Sequence, residues 1–237
     1  MGGAVLSVGP GILARVLDLL LPVRCVGCAA RGALLCDACL VVAPAVRTPV
    51  PGPEGLPVCW SAALYEGAAR EAILHYKERG RTALAVPLAQ ALAFTIVTAM
   101  PRGAFVVVPV PSARRAVRAR GHDPVGRLAA LAVRQLATLG RAVTLRTDLR
   151  QHRRVADQAG LSAAQRVANL ESSLRVAQAG RAPLSGRSAA PVVLVDDVVT
   201  TGATLAEAAR AVRAAGAVVN VAVTIAATRR KNQDSLR

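Results

Sequence analysis

The stretch VVLVDDVVTTGATL, residues 192–205, carries the densest chemistry in the chain. A run of β-branched residues ends in Asp196 and Asp197, and Thr200, Thr201 and Gly202 follow at once. The run reads as a buried strand, and the Thr-Thr-Gly segment reads as a tight turn into a helix. Carboxylates at a strand end can accept hydrogen bonds from the two hydroxyls of a ribose. Backbone N–H groups at a helix start, with the helix dipole behind them, cradle phosphate, and threonine hydroxyls add donors. Gly202 removes the steric limit on close approach. One turn thus offers acids for a sugar and donors for its phosphate, the makings of a ribose 5-phosphate site. It is not a Walker A loop, because no Gly-Lys-Ser/Thr follows. The bland alternative is a capped strand–helix joint. Against it, two adjacent acids repel each other unless a ligand or cation compensates.

A second constellation lies near the start. Cys25, Cys28, Cys36 and Cys39 follow the pattern C-x2-C-x7-C-x2-C. Each C-x2-C turn can supply two thiolates, and two such turns close a tetrahedral zinc site. Four sulfurs leave no open position, so the metal would be structural. Disulfides fit poorly with a chain that shows no export signal, and a redox C-x-x-C would need only one pair; an iron–sulfur site stays open. Cys59 is the odd cysteine and reads as a buried apolar residue.

Charge narrows the partners. Basic residues outnumber acidic ones 30 to 14, all but two of the 30 are Arg, and the net charge is +16. Such a balance favours anionic partners, phosphates or nucleic acid, over a general surface excess only where the charge is clustered. It is clustered: Arg114, Arg115, Arg118 and Arg120 fall within seven residues, and Arg146, Arg150, Arg153 and Arg154 within nine. Aromatic residues make up only 2% of the chain, too few for a base-stacking platform, so any nucleic-acid contact would run through phosphates. His122 and His152 on basic segments read as solvated, and His75 as structural. Lys77, Arg79 and Arg81 read as a solvated helix end, with phosphate contact the alternative that clustered cations leave open.

The elements that must position these groups follow from periodicity. The apolar start, MGGAVLSVGPGILARVLDLLLPVRC, lacks a basic leader and is broken by Arg15 and Asp18. It is too short to span a bilayer, and residues 11–21 read as an amphipathic helix. We therefore expect a cytoplasmic protein without a transmembrane segment. Prolines 44, 49, 51, 53 and 57 mark an extended linker. The expected organisation is an N-terminal helix and cysteine module (1–43), a Pro-rich linker (44–57), a main domain (58–228) and a disordered basic tail (229–237). Within the main domain the spacing predicts strands over 58–65, 104–110, 142–146, 192–195 and 218–226, and SSLRVA could add another. Helices are predicted over 66–79, 83–99, 124–139 and 203–215, with a short one over 162–169 begun by Ser162. Residues 111–121, 147–161 and 179–190 show no clear periodicity and read as loops. Strands alternating with helices, several of them uninterrupted apolar runs, imply a parallel sheet covered on both faces. Ligands of such sheets bind at the carboxyl ends of strands, where Asp196 and Asp197 are expected.

At residues 192–204 the chain resembles the signature of type I phosphoribosyltransferases: four apolar residues, two acids, two small or apolar residues, then Thr-Thr-Gly-x-Thr. Within that class it resembles the ComF family. The four-cysteine module is similar, as are YEGAAREAILHYKERG (65–80), VVVPVPSARRAVRARGHDP (106–124) and DQAGLSAAQRVANL (157–170). The resemblance covers about residues 19–226. It implies a type I phosphoribosyltransferase-like α/β fold, a parallel sheet flanked by helices with a small N-terminal zinc-binding module. It also implies phosphoribosyl diphosphate with Mg²⁺ as ligand. Carried over by position, Asp196 and Asp197 would hold the ribose hydroxyls, and Val198, Val199, Thr200, Thr201, Gly202, Ala203 and Thr204 would wrap the 5-phosphate. Arg114, Arg115, Arg118 and Arg120 would be counter-charges for the diphosphate. Gln158, Gly160, Leu161, Ser162, Arg166 and Asn169 would belong to a mobile segment. Where relatives commonly read R-G-F-N-Q, this chain has Arg120, Gly121, His122, Asp123 and Pro124.

Two functions follow as expectations. One is pentosyl transfer to an unknown acceptor with release of diphosphate. The other is a non-catalytic accessory protein that senses phosphoribosyl diphosphate and handles single-stranded DNA with DNA-processing proteins, in uptake or repair.

Overall fold

The computed structural model describes residues 23–152, 172–177 and 190–229. The expected helices over 11–21 and 162–169, most of the 179–190 loop, the segment from Gln158 to Asn169 and the tail from residue 230 lie outside the described residues.

Among the described residues one six-stranded sheet forms the frame. Its strands are β1 (Ala45–Val46), β2 (Cys59–Leu64), β3 (Phe105–Pro109), β4 (Val143–Leu145), β7 (Val192–Val199) and β8 (Val219–Ala227), in the spatial order β1-β2-β8-β7-β3-β4. Every pairing is parallel except β1 with β2, so the sheet is mixed at one edge. That edge corrects the reading of the Pro-rich segment as linker throughout: Arg47 and Ala43 continue the pairing with N–H bonds to Cys59 and Ala62 carbonyls. The two short strands β5 (Leu149–Gln151) and β6 (Leu174–Val176) form a separate antiparallel hairpin. β5 falls in a stretch whose polar composition hid it.

The helices divide between the faces. On one side lie α1 (Gly67–Lys77), α2 (Ala85–Ala99) and α4 (Pro124–Thr138), packed on Val107, Val193, Val195, Val221, Val223 and Ile225. On the other lies α5 (Ala203–Ala214), whose Leu205, Ala208, Ala209 and Val212 cover Val192, Leu194, Val108 and Ala222. Strand side chains alternate between faces, so uninterrupted Val/Leu runs feed both cores at once. Small alanines on the helices let the aliphatic layers close without aromatic volume. Together with the 3₁₀ turn before it (Thr82–Leu84), α2 makes an apolar stretch, Thr82–Ala99, long enough by composition to cross a membrane. Half of that stretch is buried, and it serves here as the central core helix against α4 and the sheet.

Residues 111–121 are not a loop throughout. Arg114–Arg120 form a seven-residue helix, α3, ended by Gly121 with a left-handed φ of 74°. Alternating Arg and Ala carries no hydrophobic periodicity, which is why the sequence pattern missed it; Ala and Arg nevertheless have good helix propensity. From β3 the chain crosses to β4 on one side, and from β7 it crosses to β8 on the other. The gap between the carboxyl ends of β3 and β7 is therefore the topological switch point, the usual ligand crevice of an open α/β sheet.

Candidate functional site

β7 runs further than its apolar residues. It continues through Asp196 and Asp197 to Val199, so the acids lie within the strand and not beyond it. Asp196 still pairs with Thr224 of β8, while on the other flank the backbone of Val110 bonds the Val195 carbonyl at 2.8 Å. Thr200, Thr201 and Gly202 then turn the chain. Gly202 sits at φ 80° ahead of α5, and a Cβ there would come within 2.6 Å of Leu56. Both observations restrict the position to glycine. The Thr201 hydroxyl accepts the Ala203 N–H at 3.4 Å. Asp196 and the continuous run Val198 to Leu205 line a cavity of about 220 Å³. The structure thus brings Asp196, Val198, Val199, Thr200, Thr201, Gly202, Ala203 and Thr204 together around one space. Asp197, though next in sequence, does not line it.

Asp197 turns to α1, where the Lys77 ammonium sits against its Oδ2. The Lys77 side chain is 26% exposed and that of Asp197 8%. This overturns the reading of Lys77 as part of a solvated helix end. It also supplies the cation that two adjacent acids require. Burial works against the Lys77 charge, but Asp197 and then Asp196 outweigh it and hold its pKa above the ordinary lysine value. Asp196 is held well above the ordinary carboxylate range, first by burial and then by the charge of Asp197, with Lys77 pulling the other way. The sequence did carry a signal for Lys77. It stands four residues after the buried Ile73, so it shares that residue's helix face.

The neighbouring groups form a brace. The Tyr76 hydroxyl donates to the Pro124 carbonyl at 3.0 Å, joining α1 to α4, and burial pushes its phenol up to about 12. Arg120 bonds Glu78 at 2.6 Å, which ties the end of α3 to the end of α1. Arg114 opens α3, and Arg115 and Arg118 are exposed on it, directly after β3 and beside the switch point. His122 is partly buried, its ring centroid 5.9 Å from Tyr76 and its Nδ1 3.1 Å from the Arg120 carbonyl. It is therefore packed, and not solvated as expected. His75 bonds Arg79 at 2.5 Å, and burial followed by Arg79 and Arg81 lowers its pKa. Of the second arginine group, Arg146 holds Asp148 and Arg150 caps local carbonyls; Arg153 and Arg154 lie outside the described residues.

Glu207 is a residue the sequence reading missed. It is buried in α5 and accepts the Leu174 N–H of β6 at 2.9 Å and the Arg210 guanidinium at 2.6 and 2.9 Å. Arg210 in turn donates to the Leu174 carbonyl at 3.1 Å. The hairpin is thereby pinned to the helix whose start forms the cavity. An acid among the apolar positions of an amphipathic helix was the available sign.

The cysteine module fits a metal. The Sγ atoms of Cys25, Cys28, Cys36 and Cys39 all lie within 4.8 Å of one another, and those of Cys28 and Cys36 are 3.6 Å apart. A tetrahedral zinc with bonds of about 2.3 Å sets its sulfurs about 3.8 Å apart, so these four could hold one. The N–H groups of Gly27 and Cys36 point at the Cys25 sulfur at 3.4 Å, donors that favour a thiolate. A Cβ on Gly27 would meet Ala68 of α1 at 2.6 Å and the Cys39 sulfur at 2.8 Å, so glycine lets the turn pack on the main body. Cys25 and Leu35 join the core beneath α2. Cys59 lies apart, fully buried, its thiol pushed up to about 12 by burial, as suits an inert core residue.

Residues 127–236, just under half of the chain, match the family model of the phosphoribosyl transferase domain. The match begins in α4 and contains β4 to β8 and the acidic turn, and it supports a type I phosphoribosyltransferase-like protein. β2 and β3 lie before it, yet they flank the matched β8 and β7, so both portions build one sheet. No curated protein matches the chain.

Proposed function

We propose that the protein binds phosphoribosyl diphosphate with Mg²⁺ and is a ComF-like phosphoribosyltransferase. The observation that carries this is the cavity at the carboxyl end of β7, lined by Asp196 of the strand and by the continuous run Val198–Leu205 that turns into α5. About 220 Å³ suits a sugar phosphate, with the diphosphate extending toward the open switch point beside α3. In this reading Thr200–Thr204 hold the 5-phosphate, and Asp196, the acid that lines the cavity, meets the ribose hydroxyls. Arg114, Arg115, Arg118 and Arg120 balance the diphosphate. Mg²⁺ bound with that diphosphate would neutralise leaving-group charge.

The chemistry asked of the chain is mainly electrostatic. As the bond from C1 to the diphosphate breaks, the electron pair leaves with the diphosphate and the sugar becomes oxocarbenium-like. The arginines stabilise the first and the carboxylate of the acidic pair favours the second. A nucleophile of the acceptor then bonds C1. The four-cysteine module braces α1 and α2 as a structural zinc site, which suits a reducing cytoplasm. We propose the same division as the sequence suggests: module 1–43, connecting segment 44–57, main domain 58–228.

A second reading, a non-catalytic sensor that handles single-stranded DNA, is favoured by the exposed Arg115 and Arg118 and by Arg150 and Arg175, which stand opposite each other on the hairpin. Calorimetric titration of phosphoribosyl diphosphate with Mg²⁺ tests the first reading. Saturable binding to the wild type, lost in Asp196→Asn/Asp197→Asn, is expected. A folded, zinc-loaded wild type that binds none of it rejects that reading. Single-stranded DNA binding that falls steeply with salt would then support the second.

A further inference from the structure

The two acids of the turn are chemically alike and adjacent, yet the structure treats them differently. Along β7, Val193 and Val195 enter the core beneath α1, α2 and α4, while Val192 and Leu194 enter the core beneath α5. Continuing that alternation sends Asp197 to the α1 side and Asp196 to the α5 side. The contacts agree. Asp197 meets Lys77, the last residue of α1, and Asp196 lines the cavity at the start of α5. Beyond Asp197 the alternation ends: Val198 and Val199 both line the cavity, and Asp197 alone of residues 196–205 does not.

The oxygens can be counted. Asp197 Oδ1 accepts the Val198 N–H at 2.8 Å, and its Oδ2 faces the Lys77 ammonium. Both are engaged before any ligand arrives, and the side chain is almost wholly buried. Asp196 Oδ1 accepts the Asp197 N–H at 2.8 Å, which orients the carboxylate that lines the cavity. We infer that the acids divide the work: Lys77 is a positioning residue that ties down Asp197, and Asp196 alone meets the sugar hydroxyls.

The division has a physical purpose. A polyanionic sugar diphosphate approaching two bare carboxylates would be repelled. With Lys77 cancelling Asp197, a single carboxyl group faces the hydroxyls, enough to accept their hydrogen bonds. Lys77 thus acts on the ligand through Asp197 and needs no contact with it.

The ligand half of this inference rests on the sugar-diphosphate reading; the tether between Lys77 and Asp197 does not. Calorimetry with phosphoribosyl diphosphate and Mg²⁺ across five variants tests the first half. Asp196→Asn should weaken binding about 100-fold, the loss of a charged acceptor, while Asp197→Asn should stay within about threefold of the wild type. Lys77→Met should weaken binding about tenfold by exposing the ligand to an uncompensated carboxylate, and Lys77→Arg should bind as the wild type. The deciding variant is Lys77→Met/Asp197→Asn, which removes both charges and should recover wild-type affinity. It also relieves the buried charge that could unfold the single Lys77→Met variant. Failure of that rescue, or equal losses in Asp196→Asn and Asp197→Asn, overturns the division. Urea unfolding of the ligand-free single and double variants reads the tether by itself, and Lys77 and Asp197 should be strongly coupled. Additive effects overturn the tether even if phosphoribosyl diphosphate turns out not to bind the wild type, the result that rejects the ligand reading.

Discussion

Replacing Glu207 should loosen the β5–β6 hairpin from α5, and the structure allows the size of the effect to be worked out. Glu207 is buried, and its carboxylate is the partner of the Leu174 N–H. Glu207→Ala leaves that buried N–H unpaired, which costs about 1–3 kcal/mol. Arg210 also loses the carboxylate, but it keeps the Leu174 carbonyl and its side chain is 45% exposed to water, so that loss adds only about 0.5 kcal/mol. The sum is about 1.5–3.5 kcal/mol. Glu207→Gln keeps a carbonyl oxygen for the Leu174 N–H and loses only the charge, so about 1 kcal/mol is expected. The pH dependence follows from the same contacts. Burial alone would raise the Glu207 pKa, but hydrogen bonds from Arg210 and from the Leu174 and Ser172 N–H groups outweigh it and bring it below the ordinary value. A depressed carboxylate stabilises the fold above its unfolded pKa, and that stabilisation fades as pH falls through the folded value. The wild type should therefore lose part of its stability over the acid window below pH ~4.5, and Glu207→Gln should lack that component. Urea unfolding at neutral and acid pH measures the total, and amide hydrogen exchange at Leu174–Val176 reads the hairpin locally. Equal stability for Glu207→Ala and Glu207→Gln, with unchanged exchange at those amides, would refute the pinning argument.

Two further changes probe the cavity and the cysteine module. Gly202→Ala forces a left-handed backbone on alanine and drives its Cβ toward Leu56, so it should cost about 1–3 kcal/mol in urea unfolding and weaken phosphoribosyl diphosphate binding. Wild-type stability and affinity would mean that the turn is not held as described. Chelation of zinc, or Cys36→Ser, should release about one zinc per chain by metal analysis and lower the melting temperature, because Cys25 and Leu35 are part of the core under α2. A protein that purifies without zinc and melts unchanged in chelator would remove the structural role.

How much was legible in advance depended on whether the signal was local. The strands at 105–109 and 219–227 and the helices at 124–138 and 203–214 were readable, because uninterrupted Val/Ile runs and helical periodicity report burial directly. α3 was not, since its Arg-Ala pattern has no apolar face, and β1 was not, since prolines surround a two-residue pairing made by the sheet edge. The continuation of β7 through its acids was missed because charge ordinarily marks a strand's end. Pairing with β8, which runs on as far as Val199, and the Lys77 ion pair keep it extended there.

The residue order by itself determined the cysteine spacing, the acid-then-threonine turn and the alternation of strand and helix, for each is set by neighbours a few positions apart. Only the tertiary structure decided that Lys77 neutralises Asp197 from 120 positions away, that Asp196 keeps the cavity, and that Glu207 holds a distant hairpin. The physical reason is the same in all three. A charge's partner is chosen by distance and by loss of water, and both are properties of packing, which no local pattern records.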